Sequence, residues 1–408
     1  MKKILLAILI TLSSICAFAQ KDNKVTIGTI DSVQSKILNE QRKIWVYVPN
    51  AGQLDSKQRF PVVYLLDGDA HFYSVVGMIQ QLSQVNGNTV CPEMIVVGIP
   101  NTDRTRDLTP THIDAEPPMM DSASAKTSGG GEQFVSFIEK ELMPHIDSLY
   151  PTEPYKMLIG HSFGGLTAIN IAMNHTKLFN SYIAIDPSMW WDKMNFLKAT
   201  KKALEEKKFA GTTLYLGIAN TMDESMNITK VPNDTSVATK HIRSSLDLDK
   251  SIKSQKQNGL RYDSKYYNND DHGSVPLIAE YDGLRFIFDK YRFKLSFKDF
   301  TDSTVDLAKK YEQHYQAVSN IFGYKVSPPE NMMNAMGYQF LSQNQFIKAE
   351  RFFKMNVENY PMNWNVYDSY GDYFLAIGGK SKAIEYFKKA LVLKENTESR
   401  TKLNKLLE

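Results

Sequence analysis

The chain has 408 residues, of which 42% are hydrophobic and 23% charged, with a net charge of +3. That length allows more than one domain, and that mixture is a globular one, neither disordered nor membrane-embedded. Without Lys2 and Lys3 about +1 remains, and no basic cluster is interleaved with aromatic residues, which argues against nucleic acid as a partner.

Residues 1–19 read as a signal peptide. Lys2 and Lys3 form a basic n-region, Ile4 to Ile15 an apolar stretch, and Ala17-Phe18-Ala19 an A-x-A cleavage site. The apolar run is shorter than the roughly 20 residues a spanning helix needs, so no transmembrane segment is expected after cleavage. The expectation is an exported protein, periplasmic or extracellular, starting near Gln20. Cys16 follows the bulky Ile15 where an acylated cysteine usually follows a small residue. Cleavage therefore leaves only Cys91, and no disulfide within the chain.

From residue 24 to about 292, short β-branched or aromatic runs alternate with helical patterns, as in an α/β sheet. Residues 24–35 and 43–48 form an antiparallel start that ends at Pro49 and Asn50 in a turn. Central strands are predicted at 61–66, 94–99, 157–159, 181–185, 213–219 and 262–267. Between them, spacings of three and four, as in Phe134, Phe137, Ile138, Leu142 and Ile146, give helices one apolar face. Helices on both faces imply a doubly wound, mostly parallel sheet. Residues 101–131, rich in Pro, Ser, Thr and Asp and closed by Gly129-Gly130-Gly131, read as a long mobile loop, either a lid or a tolerated insertion.

Beyond it the sequence repeats with a period of 34 residues: Gly337 returns as Gly371, Leu341 as Leu375, Ala349 as Ala383 and Phe353 as Phe387. This period resembles tetratricopeptide repeats. Two repeats bury little surface alone, so they are expected to pack on residues 301–330 or on the preceding domain. The expected organisation is a signal peptide at 1–19, a doubly wound α/β domain at 20–295 and a small all-α repeat domain at 296–408.

The stretch from Tyr155 to Ala172 runs from a short apolar strand through Gly160-His161-Ser162-Phe163-Gly164 into a helix, which is G-x-S-x-G in a strand-turn-helix setting. A serine on so sharp a turn has strained dihedrals, and side chains two positions to either side would collide there. Gly160 and Gly164 avoid that collision, and Ser162 becomes the candidate nucleophile. In this fold the acid and then the base follow the serine. His272, in Asp270-Asp271-His272-Gly273-Ser274 between the last strand and last helix, is the candidate base. His241 sits in a Lys-rich helical stretch and reads as solvent-facing. His161 points away from its neighbour Ser162. The acid is sought after the strand at 213–219, where Asp223 is preferred to Glu224. Asp270 and Asp271 adjoin the base too closely in sequence to orient it. Backbone N–H groups of Phe163, after the nucleophile, and Asp69, in the loop Leu66-Asp67-Gly68-Asp69, are expected to form the oxyanion hole.

The chain resembles the putative esterase family, which includes enterochelin esterases, feruloyl esterases, esterase D and mycolyltransferases. The resemblance rests on VVYLLDGDAHF at 62–72, IVVGIPNTDRTRDLTP at 95–110, LIGHSFGG at 158–165, DPSMWWD at 186–192 and DHGSVP at 271–276. It implies a serine esterase acting through an acyl-enzyme with no metal or organic cofactor. Its substrate would be a siderophore ester, a feruloyl or acetyl group on polysaccharide, or another small ester. Trp190 and Trp191 fall where the family's loop nears the active site, and either wall the substrate or pack on the helix at 192–206. Arg104, Arg106 and Asp107 match a family loop pattern and read as a structural ion pair. The family often has Gly at position 220 and Glu near 223, so the acid stays open between Asp223 and Glu224. The alternatives are an acyltransferase with the same triad and a non-catalytic protein that binds a protein partner through its repeats.

Overall fold

The computed structural model describes residues 25–49, 58–302 and 304–408. The signal-peptide reading with Cys16, and the turn residue Asn50, lie outside them. No helix among the described residues is long and apolar enough to cross a membrane.

The chain begins with two antiparallel strands, β1 (Thr29–Ser35) and β2 (Glu40–Tyr47), followed by β3 (Phe60–Leu66), α1 (Gly68–Ser83) and β4 (Ile95–Ile99). Two short helices follow, α2 (Arg104–Asp107) and α3 (Ser122–Thr127). Then α4 (Gly131–Phe137) continues through a π turn (Ile138–Leu142) into α5 (Met143–Leu149). The remaining strands alternate with helices: β5 (Thr152–His161), α6 (Phe163–Asn174), β6 (Ser181–Ile185), α7 (Asn195–Glu206), β7 (Thr213–Ala219), α8 (Lys240–Ser254), β8 (Arg261–Tyr267) and α9 (Val275–Ile287).

The strands form one sheet in the order β1-β2-β4-β3-β5-β6-β7-β8, antiparallel at β1, β2 and β4 and parallel from β4 onward. Side chains of a strand alternate between faces, so a strand covered on both sides must be apolar throughout. All seven residues of β3 are buried. Val62, Tyr64 and Leu66 join one core with Phe134, Phe137, Ile138, Leu142 and Ile146 from the α4–α5 segment and with residues of α6, α7 and α8. Val63 and Leu65 join another with residues of α1 and α9. The fold is thus a doubly wound α/β-hydrolase sheet, and its helical face at 134–146 is the one the spacing predicts.

Residues 101–131 correct the expectation of a loose loop. Leu108, Ile113, Met120 and Ala125 belong to the core, and Thr109 and Ser128 are buried. The glycine run is a packing device. Gly129 has φ +101°, and a Cβ there would lie 2.4 Å from the backbone nitrogen of His112.

After the short α10 (Phe297–Thr301), the rest of the chain is helical: α11 (Leu307–Phe322), α12 (Glu330–Ser342), α13 (Phe346–Asn359), α14 (Trp364–Ala376), α15 (Lys380–Leu393) and α16 (Thr397–Leu407). The 34-residue period is the spacing of two helical hairpins, α12–α13 and α14–α15. Gly337 and Gly371 occupy equivalent places: a Cβ at either would fall within 2.7 Å of the ring of Phe353 or Phe387 respectively. Ala349 and Ala383 are buried at the same step, while Leu375 is 42% exposed. The helix α11 joins the two layers. Its Leu307, Ala308 and Tyr311 lie in the hairpin core. Its Val318 and Phe322 lie in the sheet core, where Phe322 packs 4.7 Å from the ring of Tyr155. The repeats therefore rest on the segment at 301–330, and α11 ties that segment to the sheet.

Candidate active site

At the carboxyl edge of β5, Ser162 has φ 61° and ψ −114°, the strained turn its motif predicts. A Cβ on Gly160 would come within 2.3 Å of the Gly164 carbonyl oxygen, so a larger residue would open the elbow. The turn is held by hydrogen bonds from Ser162 N–H to the Ile185 carbonyl (2.9 Å) and from Ser188 N–H to the Ser162 carbonyl (3.2 Å). It directs the hydroxyl toward His272, whose Nε2 lies 3.1 Å from Ser162 Oγ.

The carboxylate on the other side of that imidazole is Asp186, with Oδ2 2.6 Å from His272 Nδ1. This corrects the choice of Asp223. Asp223 lies in an exposed turn after β7, where its Oδ1 accepts from the N–H (2.9 Å) and hydroxyl (2.5 Å) of Ser225. Glu224, next to it, is also exposed. Asp186 instead ends β6, the strand between β5 and β7, and is fully buried. Its φ of 40° turns the chain sharply there, and its N–H donates to the Gly217 carbonyl at 2.7 Å. Asp186 Oδ1 accepts from Ala219 N–H (3.1 Å), and Oδ2 accepts a second imidazole, His241 Nε2, at 2.8 Å. Burial by itself would raise the Asp186 carboxyl, but the hydrogen bonds and charge of His241 and His272 outweigh it and hold the group well below the usual carboxylate range. His241 is only 9% exposed, contrary to its reading as a surface residue. Asp270 and Asp271 serve the turn that carries His272: Asp271 Oδ1 accepts from the N–H groups of Gly273 and Ser274.

With Asp186 accepting at Nδ1, the proton of neutral His272 sits on that nitrogen and Nε2 is free to accept from Ser162. Ligand atoms of Asp186, His241 and His272 lie within 4.8 Å of one another, a spacing that would also suit a divalent ion. An ion there would occupy the lone pairs the hydrogen-bonded relay uses.

The two expected oxyanion donors lie in the first turns of neighbouring helices: Phe163 opens α6 after β5, and Asp69 is second in α1 after β3. First-turn N–H groups lack an intrahelical acceptor and point outward from the helix end. The two loops touch, since a Cβ on Gly164 would sit 3.2 Å from Asp67 Oδ2. Asp67 holds its loop in place. It takes a bidentate pair from Arg104 (2.6 and 3.0 Å) and a hydrogen bond from Asn101 (2.7 Å), while Arg104 Nη2 also donates to the His161 carbonyl (3.3 Å). Arg104 is thus the structural ion pair its motif suggested. Arg106 and Asp107 form another with Glu40 and the buried Arg42.

Trp190 and Trp191 do not wall the site. They are 3% and 0% exposed, lie in the same core as Phe196 and Leu197 of α7, and Trp191 Nε1–H donates to Thr111 Oγ1 at 3.0 Å. The tight turn after Asp186 folds them inward beneath Phe163, whose ring lies 5.3 Å from that of Trp191.

Behind the base, the ring of His161 lies 4.5 Å from that of His272. Burial, with His272 and His71 alongside, pushes His161 down to about 3, so it is neutral. Beyond His161 stands His71 on α1, itself lowered by burial, with Nδ1 3.5 Å from Oε1 of the buried Glu280 on α9. Burial pushes the Glu280 carboxyl up to about 8, so the folded protein keeps a proton there that the unfolded chain releases near pH 4.5. Stability therefore falls as pH rises through that window, by up to about 1.4 kcal/mol per unit. Glu280→Gln, which mimics the protonated acid, is expected to lie within about 0.5 kcal/mol of the native protein at pH 4.5 and to melt several degrees higher at pH 7.5, by about 4 kcal/mol. Thermal unfolding at the two pH values checks this, and equal melting at pH 7.5 would contradict it.

The "Putative esterase" family model matches residues 35–293. Among curated proteins, the chain is 29% identical over 187 residues to ferri-bacillibactin esterase of Bacillus subtilis, covering 44% of this chain and 65% of that one. It is 28% identical over 151 residues to the siderophore triacetylfusarinine C esterase of Aspergillus fumigatus, covering 36% and 51%. The match thus spans between half and two thirds of these relatives' length. Among solved structures, an IroE-like serine hydrolase from Shewanella oneidensis is 28% identical with a TM-score of 0.68, covering 81% of this chain and 99% of that one. An uncharacterised protein from Capnocytophaga ochracea, 19% identical with a TM-score of 0.60, covers 93% and 99% and shares the fold. On a match that takes in strands β2 to β8 and every residue of the hydrogen-bonded relay, the chain belongs to the putative esterase family.

Proposed function

We propose that the protein hydrolyses carboxylic esters through an acyl-enzyme, with Ser162 as nucleophile, His272 as general base and Asp186 as the acid that orients it. The observation that carries this reading is the unbroken relay Ser162 Oγ, His272 Nε2 (3.1 Å), His272 Nδ1, Asp186 Oδ2 (2.6 Å). A serine hydroxyl is a weak nucleophile until a base within hydrogen-bond reach takes its proton. His272 Nε2 takes it as Oγ attacks the ester carbonyl. The resulting oxyanion is held by the N–H groups of Phe163 and Asp69. The proton then passes to the departing alkoxide, leaving an ester on Ser162. Water, deprotonated by the same imidazole, releases the acid.

A siderophore ester is the substrate class favoured by the names of the curated relatives. An exported site of action is read from residues 1–19. The helical hairpins are read as tetratricopeptide-like, a scaffold that also offers a surface to a protein partner. The test is pre-steady-state hydrolysis of chromogenic esters from acetyl to feruloyl, alongside ferri-bacillibactin. The expected result is a burst of alcohol equal to the enzyme concentration, with turnover fastest on the siderophore ester. Product appearing only when a second alcohol is added would mean acyl transfer. No burst and no turnover on any ester would overturn the reading.

A further inference from the structure

A catalytic carboxylate needs one imidazole, yet Asp186 Oδ2 is bound by two, His272 at 2.6 Å and His241 at 2.8 Å. The second is built in. His241 is the second residue of α8, is buried, and sets its ring edge-on to that of His272 at 5.1 Å and 85°. We propose that His241 is a positioning residue that fixes Asp186 and moderates its pull on His272, thereby setting the acidic limit of activity; this rests on the triad reading above.

The argument is one of shared acceptance. Asp186 Oδ1 is taken by Ala219 N–H and Oδ2 by His272, and His241 adds a second hold on Oδ2 from a residue that takes no part in the proton transfer. Each N–H on Oδ2 draws off electron density that the other would use. When His272 takes the serine proton, its positive charge is met by an oxygen already partly satisfied by His241. The charges that bear on this pair can be named. Facing His272 are Asp186, His241, the neutral His161 from β5, and Asp271 from its own turn, which is exposed to solvent. Facing His241 are Asp186 and His272. Removal of the His241 N–H therefore leaves Asp186 a stronger partner for the imidazolium, and His272 holds its proton to higher pH. The acidic limb of kcat/KM moves up. At the same time the carboxylate loses an anchor, so the plateau falls.

The experiment is the pH profile of kcat/KM for three variants of the full chain. His241→Leu and His241→Phe lack the N–H, and Phe keeps a ring against His272 should Leu not fold. His241→Gln places an amide N–H where Nε2 stood. Leu and Phe are expected to raise the acidic limb by about 0.5 to 1 pH unit and to lower the plateau about tenfold, and Gln to restore both. An unmoved limb in Leu and Phe, or a Gln variant no better than they are at equal thermal stability, overturns the proposal. Failure of the triad reading would look different, since Asp186→Asn would then itself retain activity.

Discussion

Asp186→Asn is expected to lower kcat for ester hydrolysis by about 10⁴-fold, while Asp223→Asn leaves it within about twofold. The amide keeps the shape of the carboxylate, but its NH₂ cannot accept from His272 Nδ1. If that NH₂ faces His272, the imidazole is driven to carry its proton on Nε2, where it can no longer take one from Ser162. The other orientation offers only a neutral oxygen to the imidazolium. Asp223 sits in its own solvent-exposed turn with Ser225, and its loss disturbs only that turn. Steady-state kinetics of the two variants decide between the carboxylates. A fully active Asp186→Asn would remove the acid assigned by the geometry.

Ser162→Ala is expected to have the larger effect, about 10⁶-fold in kcat, with KM little changed, because the hydroxyl takes part in bond making and little in binding. Adding His272→Ala should lower the rate no further, since base and nucleophile act as one unit. What remains would be the share of the Phe163 and Asp69 N–H groups and of substrate placement. A double variant much slower than the single one would mean that His272 activates something other than Ser162, such as a water.

The fold was legible because its signals are local. Runs such as Val62-Val63-Tyr64-Leu65-Leu66 are apolar on both faces and fit only a covered parallel strand. The elbow glycines and the 34-residue spacing of Gly337 and Gly371 reflect contacts tight enough to exclude a Cβ. Ser162 and His272 were legible for the same reason, each sitting in a short motif at a strand end.

Asp186 was not, because its role depends on a contact with a residue 86 positions away, and in sequence Asp-Pro after a strand reads as turn chemistry. The available signal was its place, a carboxylate at the carboxyl end of the strand beside the nucleophile's. His241 was hidden by its neighbour Lys240, which pairs with Glu116 while the histidine one position on faces the core. The Pro, Ser, Thr and Asp of residues 101–131 suggested looseness, whereas Asp103 and Asp121 cap two short helices there and the segment's apolar residues join the core. Trp190 and Trp191 followed the right strand, but the turn at Asp186 folds them inward.

The most direct test of the central claim is the mass of the protein after treatment with a fluorophosphonate ester, followed by peptide mapping. The account predicts a single adduct, on the peptide that carries Ser162, with ester hydrolysis lost in step and labelling strongly slowed by Asp186→Asn. An adduct elsewhere, or none while ester hydrolysis persists, would contradict it.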